Sequence, residues 1–132
     1  MVVKILPANI ALKRAYDPPD EVDGVRVLVE RLWPRGLTKT AAAIDQWAKE
    51  IAPSTELRQW YHHDPGRWDE FRERYLAELK DKGPEIEALR KLAAAGPITL
   101  IYAARGTADV NATVLRDVLL GVRAKSRRKS PD

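Results

Sequence analysis

Apolar and polar positions begin to alternate at Ile10 and Leu12, with Lys13 and Arg14 turning outward, which predicts a first strand over residues 8–15. Asp17-Pro18-Pro19-Asp20 and Asp23-Gly24 then read as a turn or small loop. Val25-Arg26-Val27-Leu28-Val29 is short, β-branched and apolar enough to lie inside a sheet. From a cap at Thr38 or Thr40, the positions Ile44, Trp47, Ala48 and Ile51 recur with helical spacing. Ile44, Gln46 and Ala48 also alternate, so an edge strand is the competing expectation. Ser54 caps a short helix with Leu57, Trp60 and Tyr61 on its apolar face. Asp64-Pro65 starts another, carrying Trp68, Phe71, Tyr75, Leu76 and Leu79. Lys82-Gly83-Pro84 ends that helix and opens the next, with Ile86, Leu89, Leu92 and Ala93 as its stripe and Gly96-Pro97 as its stop. Ile98-Thr99-Leu100-Ile101-Tyr102 is a second buried-type strand. After the loop AARGTAD, Asp109 is placed to cap a last helix bearing Ala112, Leu115, Val118, Leu119 and Val122.

This order predicts an α/β fold: a small, mainly parallel sheet covered by helices as a two-layer or three-layer open sandwich. Right-handed crossovers make the two apolar strands parallel neighbours, so their C-terminal ends share one edge. Ligands of open α/β sheets bind just outside such ends. The stretch RLWPRGLT follows one of these strands and AARGTAD follows the other.

Composition narrows the picture. A chain of 132 residues has the length of one domain, expected over residues 1–122. No apolar run reaches the roughly 18 residues of a membrane span, and the N-terminus lacks the pattern of a signal peptide, so a soluble cytoplasmic protein is expected. With no cysteine, thiolate nucleophiles and cysteine-built metal centres are excluded. The net charge of +4 invites a nucleic-acid reading. Of 23 Lys and Arg and 19 Asp and Glu, however, five and one lie in the last ten residues, which leaves 18 of each in residues 1–122. The basicity therefore belongs to a tail, residues 123–132, expected to be disordered and capable of weak, salt-sensitive attraction to nucleic acid.

The segments DGVRVLVERLWPRG, DQWAKEIAPSTELRQW, HHDPGRWDEFRERY and ITLIYAAR, in this order, resemble the short, YeaO-like members of the domain-of-unknown-function 488 family. The resemblance runs from about Lys13 to Leu120. It implies the class of fold and brings no established biochemical activity. Some members are labelled MarR-type transcription regulators; no helix-turn-helix with a basic recognition helix is visible in this chain. Short relatives carry acidic residues after the YAAR arginine and then His-Asn-Asn or similar, where this chain has Gly106, Thr107, Ala108 and Asp109-Val110-Asn111. Only Asn111 matches, so a role for that histidine does not carry over. Longer relatives carry a cysteine near the strand end, and Tyr102 with a cysteine-free loop stands here instead.

Arg31, Arg35 and Arg105 are expected to converge at the sheet edge beside the N-terminus of the last helix, forming an anion site with Trp33 and Asn111. The competing arrangement pairs Arg31 or Arg105 with Glu30, Asp45 or Asp109 as loop ties. Trp33-Pro34 reads as a packing lid, or as a stacking platform for a ring. Trp47, Trp60 and Trp68 occupy apolar helical positions and are expected in the core. His62 and His63 point about 100° apart on a helix, so no metal site is expected. His63, Tyr102 and Asp109 are the candidate proton-transfer groups. No P-loop or GxGxxG occurs and no cofactor is implied.

Three function classes follow. The first is a domain binding an anionic small molecule, phosphate- or carboxylate-bearing, at the strand edge, with hydrolase or transferase chemistry open. The second is a nucleic-acid-associated or regulatory module using the basic tail and the same arginines. The third is a protein-interaction domain, which would expose a large apolar patch. Substrate and oligomeric state are not encoded in any motif.

Overall fold

The computed structural model describes residues 5–62, 64–105 and 110–121. Four parallel strands, β1 (Ile10–Arg14), β2 (Val25–Leu28), β3 (Gln46–Trp47) and β4 (Ile98–Tyr102), form one sheet in the order β1-β4-β2-β3. Five helices accompany them among the described residues: α1 (Lys39–Ala42), α2 (Thr55–Tyr61), α3 (Trp68–Leu79), α4 (Gly83–Ala95) and α5 (Asn111–Leu120). The expected small parallel α/β sheet is therefore present, and β2 and β4 are neighbours in register Val25 to Ile98 through Leu28 to Ile101.

Local chemistry accounts for most boundaries. Ser54 caps α2 by accepting from the Leu57 N–H at 3.1 Å, and its own hydroxyl donates to Glu78 at 2.6 Å. Asp64 accepts from the Gly66 N–H at 2.9 Å and begins a short 3-10 turn, Pro65–Arg67, that runs into α3. The first strand is shorter than expected because Pro7–Asn9 forms a 3-10 turn before it. The helix expected after Thr38 is overturned beyond its first turn. Thr38 does cap α1, accepting from the Ala41 N–H, but Ala43 adopts a left-handed conformation at φ 50° and ends it. The backbone of Asp45 and Ala48 then bonds the Arg26 and Leu28 carbonyls, so this segment becomes the edge strand β3. Trp47 consequently leaves the core and stays 39% exposed, edge-on to Trp33 at 5.5 Å with Lys49 over its ring. Trp68 is buried as expected, while Trp60 is half-buried beneath the Arg74 guanidinium.

Alternation along the strands divides the buried residues between two faces. Val27, Val29, Leu100 and Tyr102 belong to the large core shared with Phe71, Tyr75, Leu89 and Leu115 of the helices. Leu28, Ile101 and Ala15 form a smaller core on the other face, covered by Trp33, Leu37 and Ile44. The chain leaving β2 therefore covers the second face, while the chain leaving β4 enters α5 on the first. Two adjacent parallel strands that depart to opposite faces leave a crevice between their C-terminal ends.

Candidate functional site

The end of β2 delivers Glu30 into that crevice. Its carboxylate accepts from the Ala103 N–H at 3.0 Å, and its carbonyl accepts from the Trp47 indole at 2.7 Å, so the residue is held from both neighbouring strands. The loop after β4 is pinned as well: the Arg14 guanidinium donates to the Ala104 carbonyl at 3.0 Å. Asn111, the first residue of α5, donates to the Val29 carbonyl at 2.8 Å and ties the helix start to the end of β2.

A cleft of about 240 Å³ opens between these ends, lined by Glu30, Ala103, Ala104, Val110 and Asn111. Its far wall comes from Pro53 just before α2, from Arg58 and Tyr61 within it, and from Trp68 and Phe71 of α3. The aromatic rings pack against each other, Tyr61 to Phe71 at 4.5 Å and Trp68 to Phe71 at 5.4 Å, so this wall is apolar and rigid. Arg58 and Tyr61 stand three residues apart on one helix, which puts both on the cleft side.

The cleft holds one carboxylate and one guanidinium among its described residues. Burial pushes the Glu30 carboxyl above its ordinary value of 4.5, against the opposing pull of the Ala103 N–H and the Arg58 charge. Arg58 acts on it through space, without an ion pair or hydrogen bond among the described residues. Beneath the site, Tyr75 is fully buried and donates to the Ile51 carbonyl at 2.7 Å; burial and the Glu30 and Glu78 charges keep its phenol protonated.

Of the residues expected to meet a ligand, Asn111 lines the cleft. Arg31 does not: its guanidinium donates to the Pro53 and Ala52 carbonyls at 3.2 and 2.9 Å and lines a separate hollow beside Glu78. The arginine convergence is corrected on this point, because the carbonyls before α2 use the donors that an anion would need. Trp33 is the lid on the second face, its indole donating to the Leu37 carbonyl at 2.7 Å. Arg35 and Arg105 are exposed and outside the cleft lining, and the Arg35 carbonyl accepts from Tyr16. The expected ties to Glu30 and Asp45 take a different form, since Glu30 accepts from Ala103 and Asp45 from the Arg26 N–H. Tyr102 is buried in the large core, where burial raises its phenol pKa. His63, Asp109 and the tail 123–132 lie outside the described residues.

Arg58, Tyr61, Trp68 and Phe71 were not legible as cleft residues from periodicity, which marks apolar faces without saying which end of a helix reaches the sheet edge. Glu30 had a usable signal: it is the first charged residue beyond an apolar strand. Among the described residues no cluster of three or more His, Asp or Glu is placed to hold a metal ion, and no helix is long and apolar enough to cross a membrane.

A family model described as the inactive DUF488-N3 subclade matches residues 9–131. The chain is 50% identical over 111 residues to the uncharacterized protein YeaO of Escherichia coli K12, an alignment covering 84% of this chain and 96% of the relative. It is 45% identical over 113 residues to the uncharacterized protein Rv3073c of Mycobacterium tuberculosis H37Rv, covering 86% and 95%. No solved structure matches it.

Proposed function

The chain belongs to the inactive DUF488-N3 subclade, and from that premise we propose that it binds, without turning over, a small carboxylate- or phosphate-bearing molecule in the cleft between the ends of β2 and β4. The observation that carries this reading is the position of Arg58, an uncommitted guanidinium in the crevice where adjacent strands part to opposite faces. Val110 and Asn111 add the positive end of the α5 dipole on the opposite side. The aromatic wall supplies area for the ligand's apolar part. Binding alone is favoured because the subclade is described as inactive and because no nucleophile stands beside Glu30 among the described lining residues.

A thermal-shift screen of the full chain against nucleotides, phosphorylated metabolites and carboxylates tests it. A cleft ligand at 100 times its Kd stabilises by about 2.7 kcal/mol, and Arg58→Gln should remove that shift. A flat screen, combined with DNA retention that disappears when residues 123–132 are deleted, would favour the nucleic-acid module instead.

A further inference from the structure

We infer that the ligand of this cleft is a zwitterion, an amino acid or close analogue with an apolar or ring side chain, its ammonium on Glu30 and its carboxylate on Arg58. This rests on the binding reading above and narrows it.

The argument begins with charge. Glu30 and Arg58 are opposite in sign and line the same cleft, yet they form no ion pair with each other. Glu30 uses one oxygen on the Ala103 N–H, and its other oxygen has no partner among the described residues. The Arg58 guanidinium likewise keeps its donors. Because the two charges cancel, a ligand bearing only negative charge gains at Arg58 and loses at Glu30. A ligand carrying its own separated charges gains at both, and a carboxylate matches the planar guanidinium fork two oxygens to two N–H groups.

Fixation of the two ends follows from the backbone. Glu30 is oriented by Ala103 and by its place directly beyond β2, and Arg58 by α2, whose start is held through Ser54 and Glu78. Glu30 is thus set before the ligand arrives, which lowers the ordering cost of binding, while for Arg58 the helix fixes the backbone from which its side chain reaches the ligand. Tyr61, Trp68 and Phe71 line the same cleft with ring surface and no ionised side chain, which suits the apolar part of a ligand. An ammonium restores to the partly buried Glu30 the counter-charge that burial withholds.

Isothermal titration of the full chain with L-phenylalanine, 3-phenylpropionate, phenethylamine and phenyl phosphate decides it. Omitting either charged group from the ligand should weaken binding about 10- to 100-fold, so L-phenylalanine should bind tightest. Glu30→Gln, which keeps an acceptor for Ala103, should erase the preference for L-phenylalanine over 3-phenylpropionate. Arg58→Gln should erase the preference over phenethylamine. If 3-phenylpropionate or phenyl phosphate binds as well as L-phenylalanine and depends on Arg58, the zwitterion inference falls and the anion reading stands. If no probe and no anion of the wider screen shows binding that depends on Arg58, both fall.

Discussion

The carboxylate of Glu30 and the backbone N–H of Ala103 meet at 3.0 Å, joining the C-terminal ends of two adjacent strands through one side chain. That bond orients the only carboxylate among the described residues lining the cleft, and it does so at the cost of partly burying a charge.

Replacing Glu30 by Gln should therefore raise stability at neutral pH. Burial lifts the folded-state pKa above 4.5, so the folded protein holds this proton more tightly than the unfolded chain does. The stabilising contribution of Glu30 is full below 4.5 and is lost as pH rises through the folded value. Urea titrations of both proteins should show the variant ahead at pH 7 and the gap closing towards pH about 4; a wild type that is equally stable or more stable at pH 7 would refute this.

Asp23 should show the opposite dependence. It is 6% exposed, accepts from Arg26 at 2.6 Å and from Lys13 at 3.1 Å, and its carboxylate also accepts from the Asp20 N–H at 3.0 Å. Burial alone would raise its pKa, but these donors outweigh it and hold the group below 3.8. Its contribution is present above 3.8 and is lost as pH falls through the folded value. Asp23→Asn leaves Arg26 buried without its counter-charge and should cost about 3–5 kcal/mol near neutrality, measured by denaturant unfolding.

Gly24→Ala should be severe for a steric reason. Gly24 has φ 63°, and a Cβ there would lie 2.1 Å from the Pro97 carbonyl oxygen, which also accepts from the Val25 N–H. Overpacking and a left-handed non-glycine residue together predict a loss of about 2–4 kcal/mol. Thermal unfolding with an unchanged Tm would contradict the placement of β2 against β4.

Asn111→Ala removes the 2.8 Å bond to the Val29 carbonyl and should destabilise by about 1–2 kcal/mol. The same change loosens the α5 wall, so ligand affinity measured by titration should fall as well, although the Asn111 amide is engaged within the protein.

Much of the scaffold was legible because its signals are local. Ser54 and Asp64-Pro65 announce helix starts through their own side chains, and the apolar run Ile98–Tyr102 is a strand in both sequence and structure. The segment from Ile44 to Ile51 was not legible, because its apolar positions satisfy two periods at once. What decides between them is the left-handed turn at Ala43 and pairing with β2, both set by the rest of the fold. The engagement of Arg31 was hidden for a similar reason. Nothing near Arg31 in the chain reveals that the carbonyls of Ala52 and Pro53 will take its donors.

β4, residues 98–102, inserts between β1 and β2, which do not pair with each other. During synthesis, both early strands must therefore wait until residues 98–102 have emerged before either gains its central partner. Such long-range closure slows folding and leaves strand edges open to misassembly meanwhile. The cleft inherits this timing, since Glu30 has no Ala103 to bond, and no α5 beside it, until residues 103–120 have left the ribosome.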